Sequence, residues 1–306
     1  MKSTILSITI LLLSGWSVHA QSWWQPDQKE LEAPLWFLAS PLLEGREAGE
    51  RGSLVAAEYI ASMMMMHGLA PAGDQHDWFQ PFEVTEKNLS CRNVLGMIRG
   101  VDTTKYVVIG AHYDHLGMRQ DSIFVGADDN ASGVSGLLAL ANRWNSRNEP
   151  PPCTLIFAAW DTEEKDFEGS RYFVRHFTPG TTSFLFYVNL DMISRSDPTD
   201  TLCNILEVGV LTGHTKSREM IERNNASSGA PFVLDFWETE GKGGSDYIHF
   251  AENKVPIMAL FAGLNGDYHT PGDTRDKIDW PKMIRVLALT NACLEEFLEI
   301  SPPDNT

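Results

Sequence analysis

Long apolar runs, clustered basic residues and closely spaced cysteines are all scarce in this chain of 306 residues. Past the first twenty positions, no stretch is apolar for the ~20 residues that a bilayer-spanning helix needs, so the body of the chain is expected to be soluble. Only 24 Lys and Arg stand against 41 Asp and Glu, a formal net charge of -17, and the basic residues are dispersed. Phosphate binding needs grouped Lys and Arg, which argues against nucleic acid or an anionic membrane as the main partner. The four cysteines, Cys91, Cys153, Cys203 and Cys293, show no metal-type pairing. They are expected to be buried free thiols, with at most one bridge. Internal repeats and Gly/Ser linkers are also missing. A single domain is therefore expected over 21–306, with a helical leader at about 28–90 and a core at about 91–300.

The first twenty residues do carry an apolar run. Lys2 gives a positive start, Ile5 to Leu13 are almost wholly apolar, and Val18-His19-Ala20 has the small-x-small form that precedes signal-peptidase cleavage. The expectation is a mature chain beginning near Gln21, exported to a periplasm or beyond.

From Gln28 to about Gly73 the pattern is helical, with Val55, Tyr59, Ile60, Met63 and Met64 spaced to share one face. The methionine run from Met63 to Met66 reads as adaptable core filler. Strand-like runs then follow at Asn93–Met97, Tyr106–Ala111, Thr154–Ala159, Phe184–Leu190, Asn204–Val210, Phe232–Phe236 and Pro256–Phe261. Helical stretches at Gly133–Asn145, Lys216–Asn225, Ser245–Asn253 and Pro281 to about Leu298 separate several of them. Apolar strands alternating with amphipathic helices predict an α/β sandwich around a mixed, largely parallel central sheet.

In such sheets ligands gather beyond the carboxyl ends of the strands, and five polar segments lie there. YVVIGAHYDHLG delivers His112 and Asp114 from a strand end, two residues apart and so on one side. A His beside a carboxylate suits a metal ligand held by a partner on its other ring nitrogen. GADDNASG, from Gly126 to Gly133, turns sharply into a helix, and a helix cap by Asn130 or Ser132 explains only part of it. LIFAAWDTEE ends in Glu163 and Glu164, whose side chains diverge on an extended backbone. That divergence suggests that one coordinates metal while the other takes a proton from water. FLFYVNLDMIS ends a strand at Asp191, and DYHTPGDTRDKID places His269 in a Gly/Pro-rich turn.

Taken in order, these five motifs resemble the secreted zinc aminopeptidase family that includes bacterial leucyl aminopeptidases. Glutamate carboxypeptidases and glutaminyl cyclases are relatives. The likeness runs from about residue 30 to 300, since LASPLLEGREAG and MMHGLAPAG also resemble the leader of bacterial members. It implies a three-layer zinc exopeptidase fold and two zinc ions per chain. His112, Asp129 and Asp191 would hold one, His269, Glu164 and the shared Asp129 the other. Glu163 would be the general base, Asp114 would orient His112, and Tyr268 would donate to the developing oxyanion. A cis peptide after Asp129 is implied as well. Two Zn²⁺ balance three ligand carboxylates and one hydroxide, and a neutral core is cheaper to bury.

The resemblance implies hydrolysis of the N-terminal residue from peptides with a free amine. Glutaminyl-peptide cyclisation on the same ligand set is the alternative, disfavoured because EEKDFEGSRYFV lacks the Trp-containing insertion associated with cyclases. A non-catalytic binding module is a third reading, set against the full complement of ligands and base. One departure stands out. Asp166 and Phe167 occupy positions where the family usually has Gly and an aliphatic residue. Asp tolerates positive φ, so the fold is expected to survive, while the added negative charge is expected to bias the substrate pocket towards basic groups.

Overall fold

The computed structural model describes residues 23–300. The expected leader peptide at 1–20 and its cleavage point lie outside them. Two helices open the chain: α1 (Gln28–Leu38), capped by the Asp27 carboxylate on the Lys29 amide at 2.8 Å, and α2 (Arg51–Met66). Then come β1 (Ala70–Pro71), β2 (Phe79–Val84), β3 (Leu89–Ile98), β4 (Asp102–His112) and a small hairpin, β5 (Gly117–Arg119) and β6 (Ser122–Phe124). The remainder is α3 (Gly133–Asn145), β7 (Cys153–Trp160), α4 (Glu168–His176), β8 (Phe184–Leu190), β9 (Ile205–Leu211), α5 (Thr215–Ser227), β10 (Val233–Thr239), α6 (Tyr247–Glu252), β11 (Ile257–Phe261) and α7 (Trp280–Ile300).

Nine strands form one mixed sheet, in the order β1-β3-β7-β4-β8-β11-β9-β10, with β2 also on β3. Its centre, β7-β4-β8-β11, is parallel throughout. The antiparallel pairings lie outside that centre: β1 and β2 with β3, β3 with β7, and β9 with β11. Four consecutive strands therefore deliver their carboxyl ends to one edge of the sheet.

Strand alternation feeds two cores. Leu155, Phe157 and Ala159 of β7 pack with Val107, Ile109 and Ala111 of β4 against α1, α2, α3 and α7. Ile156, Ala158 and Trp160 face the other way, against Phe173 of α4 and Phe250 of α6. Every residue of β7 is buried, as a strand covered on both faces requires. On α2 the inward face is Ala57, Ile60, Ala61 and Met64, whereas Val55, Met65 and Met66 are exposed. Small residues let this helix approach the sheet closely, so the contact face is rotated from the one that counting large apolar residues selects. The four cysteines are unpaired; Cys91, Cys153 and Cys293 are buried, and Cys203 is exposed. Among the described residues no helix is long and apolar enough to cross a membrane.

Candidate active site

The parallel centre of the sheet explains how residues so far apart in sequence meet. His112 is the last residue of β4, Glu163 and Glu164 follow β7, Asp191 follows β8, and the loop after β11 carries Tyr268 and His269. Asp129 comes from the turn between the β5–β6 hairpin and α3, where the peptide bond to Asn130 is cis.

That turn is tied down on every side. Both carboxylate oxygens of Asp273 accept from the Asp128 amide, and one accepts from the Asp129 amide at 3.0 Å. The Asp128 carboxylate accepts from the Ser194 amide at 3.1 Å and the Asn265 side chain at 3.0 Å. Burial and the nearby Asp273 push Asp128 up to about 7. Asn130 donates to the Leu190 carbonyl and accepts from the Gly133 amide, both at 2.9 Å, which joins the turn to the end of β8 and the start of α3.

The predicted ligands converge. His112 Nε2 lies 3.4 Å from Asp129 Oδ1 and 3.3 Å from Asp191 Oδ1. His269 Nε2 lies 3.2 Å from Asp129 Oδ2 and 3.3 Å from Glu164 Oε2. The two oxygens of Asp129 thus face different histidines, as a bridging carboxylate would. Charge-assisted N–H···O⁻ bonds close to about 2.7–2.9 Å, shorter than these four separations. Two ligands at about 2.0–2.1 Å from one tetrahedral zinc stand roughly 3.3 Å apart. The spacing, the mixed His/carboxylate donors and the burial fit zinc.

The electrostatics are those of a cluster short of positive charge. Burial alone would lower His269, but the facing carboxylates of Asp129 and Glu164 outweigh that and raise it to about 10. His112 is likewise lifted against burial, chiefly by Glu163 and Asp191. Four carboxylates in one cavity demand positive charge.

The adjacent glutamates differ. Burial drives Glu163 well above the ordinary carboxylate range, with Asp191 and Asp246 adding to the shift and His112 opposing it. Glu164 is held below that range despite burial, by His115 and His269. Glu163 Oε2 stands 4.0 Å from His112 Nε2, leaving it the most weakly engaged carboxylate of the group. Asp114 accepts from the Glu163 amide at 3.0 Å and the Glu164 amide at 3.3 Å. His112 Nδ1 is nearer the Asp114 carbonyl, at 3.2 Å, than its carboxylate, at 3.7 Å. Asp114 therefore fixes the glutamate turn with its side chain and the His112 ring mainly through its backbone. Tyr268 stacks on His269 with ring centroids 3.8 Å apart, half-exposed at the cavity mouth, and burial and the carboxylates raise its phenol, keeping it protonated.

Sequence reasoning passed over His115. It is buried, and its Nδ1 lies 2.9 Å from Glu164 Oε1 and 3.7 Å from Asp129 Oδ2. The first distance is that of a hydrogen bond, so His115 holds the oxygen of Glu164 that faces away from His269, and with Asp129 and Glu164 it also forms a group of donor atoms close enough to share an ion. Its signal was present, a second His in AHYDHLG. Asp166 corrects the earlier expectation. Its φ of 75° is the left-handed backbone that Gly would supply, but its side chain is exposed and paired with Lys87, and it does not line the cavity. The cavity beside the ligands has apolar walls of Met192, Trp237, Phe261 and Leu264, and among the described residues no Lys or Arg lines it.

The sequence pattern described as peptidase family M28 matches residues 93–293. The chain is similar to leupeptin-inactivating enzyme 1 of Streptomyces exfoliatus, with 26% identity over 68% of this chain and 44% of that one. It is 24% identical to probable leucine aminopeptidase 2 of Aspergillus fumigatus, over 72% of this chain and 47% of that one. It therefore spans about half the length, or less, of these curated relatives. In fold it is similar to the LapA aminopeptidase of Legionella pneumophila (TM-score 0.71, 21% identity, 89% of this chain and 70% of that one). The zinc aminopeptidase BSAP of Bacillus subtilis (0.69, 17%, 88% and 95%) and the glutaminyl cyclase of Porphyromonas gingivalis (0.72, 17%, 89% and 99%) share that fold. The family's pattern covers more than half of the sequence and contains every ligand in the cluster, so the chain belongs to peptidase family M28.

Proposed function

We propose that this protein removes the N-terminal residue from peptides, using two zinc ions. His112, Asp129 and Asp191 would hold one, and Asp129, Glu164 and His269 the other. The observation that carries the reading is the opposed pair of contacts from Asp129, one oxygen towards each histidine, with Glu163 alongside. Bound zinc would supply Lewis acidity, polarising the scissile carbonyl and making a water acidic enough to attack it.

The chain's own groups supply the rest. Glu163, the carboxylate least engaged by the histidines, takes the proton of the attacking water and passes it to the leaving amine. Tyr268 donates from its protonated phenol to the oxygen that gains charge. Asp114 holds both glutamate amides, so acceptor and ligand keep their relative positions. Among the described residues no Lys or Arg lines the cavity to pair a peptide's C-terminal carboxylate, as recognition of a free C-terminus would need. This favours an N-terminal over a C-terminal exopeptidase.

Glu163→Gln is expected to retain zinc and lose turnover of aminoacyl-anilides by about 10²–10⁴-fold, while His269→Ala loses zinc too. Metal content and kcat measured together check this, and a zinc-replete Glu163→Gln of near wild-type rate would defeat it. Mass spectrometry of a peptide starting with Gln separates loss of a residue from loss of ammonia, and so hydrolysis from cyclisation.

A further inference from the structure

We propose that Glu207 is a specificity-determining residue that selects a cationic N-terminal side chain, Lys or Arg. This rests on the aminopeptidase reading above and names its substrate class.

Glu207 lies on β9, between β11 and the edge strand β10, and lines the same cavity as the ligand cluster. Its neighbours Leu206 and Val208 point into the helix-covered core, so alternation turns Glu207 to the opposite face, where the cavity opens. Across the antiparallel pair it stands opposite Phe261 of β11. Leu260 is paired with Leu190 of β8, so one step further along, Phe261 lies beside Asp191. Glu207 and Asp191 are therefore two strand spacings apart, about 10 Å between Cα atoms at ~4.8 Å per spacing. An α-amine held at the ligand cluster falls short of Glu207. The aliphatic stem of a Lys or Arg spans the gap and ends on the carboxylate.

The walls of that path are apolar. Phe261 forms one side and Trp237 another; Gly209 lets Trp237 lie against the sheet, for a Cβ there would come within 2.6 Å of the indole ring. Among the described residues no hydrogen bond or ion pair reaches the Glu207 carboxylate. Burial raises its pKa, and Asp235 and Asp197 add to the rise. The basic group that acts on it, Lys282, is occupied with the Ala262 carbonyl and Ser196. A half-buried carboxylate in an apolar channel is costly when unpaired and is compensated when a cation enters. Aliphatic substrates would leave it desolvated and unpaired.

The test is a kcat/KM panel of Lys, Arg, Leu and Nε-acetyl-Lys anilides on the zinc-loaded wild type and Glu207→Gln. The wild type is expected to prefer Lys and Arg over Leu, and to discriminate against Nε-acetyl-Lys, which keeps the stem and loses the charge. Glu207→Gln is expected to lower the Lys:Leu ratio by about 10–100-fold. Equal or better cleavage of Leu by the wild type, or an unchanged ratio in a folded Glu207→Gln, would overturn the assignment while leaving the aminopeptidase reading intact. No hydrolysis of any anilide would overturn both. If Glu207→Gln fails to fold, the Lys against Nε-acetyl-Lys comparison on the wild type decides.

Discussion

Glu163 and Glu164 occupy consecutive positions, yet the protein gives them different electrostatic surroundings. Glu164 is gripped at one oxygen by His269 and at the other by His115, whereas Glu163 has burial and repulsion. A carboxylate whose outer partner is removed remains a ligand but loses its aim. His115→Ala is therefore expected to weaken zinc binding by about 10–100-fold without removing the base or any of the five predicted ligands. A competition titration against a chelating dye measures it; unchanged affinity would mean that the 2.9 Å contact does not matter for the metal. At this scale the sequence was readable where the residue type had few alternative uses at a strand end. Asp166 was misjudged because its direction depends on a local turn, and Glu207 was passed over because a lone Glu in ILEVGVL gives no sign of which face is the cavity.

Among the elements, the short segment between α1 and α2 carries more than its length suggests. Arg46 is buried within it and donates to the carbonyls of Tyr113 (2.8 Å), Val125 (2.7 Å), Gly126 (3.0 Å) and Leu38. It thereby fastens the leader helices to the end of β4 and to the turn that presents Asp129. Burial lowers the guanidinium to about 10, leaving it charged at neutral pH. Arg46→Ala strands several carbonyls without a donor and is expected to cost about 3–5 kcal/mol, in the upper tail for single substitutions. Urea unfolding with an unchanged m-value would measure that loss, and a change below about 0.5 kcal/mol would contradict the clamp. The long apolar strands were legible: Phe184–Leu190 and the helix Gly133–Asn145 have the predicted bounds. The strands at Phe79–Val84 and Ala70–Pro71 and the helix at Glu168–His176 were not. Pro81 interrupts the first, two residues carry no period in the second, and the third is dominated by charged residues around Phe173 and Val174, which pack against the sheet only in the folded chain.

Across the whole molecule, the ligand cluster joins four strand ends to the Asp129 turn, so zinc should act as a tertiary crosslink. Binding to the folded state alone adds about 2.7 kcal/mol at a free metal concentration of 100 times the dissociation constant. For a chain of this size, at ~2.1 cal/mol/K of unfolding entropy per residue, that corresponds to a Tm rise of about 4 °C. Removing metal with a chelator should lower Tm by that order, and zinc should restore it; magnesium, which prefers octahedral oxygen ligation, should not. A Tm insensitive to chelation and reloading would count against a structural contribution from the metal.

The strand-end placement of His112, Glu163, Glu164 and Asp191 and the Gly-rich turn at Asp129 were legible in the order of residues alone, because period and turn chemistry are local properties. Tertiary structure decided which carboxylate oxygen faces which histidine, that His115 grips Glu164, that Asp166 turns away, and that Glu207 enters the cavity. Those outcomes follow from how neighbouring strands align, and strand register depends on contacts between residues scores of positions apart.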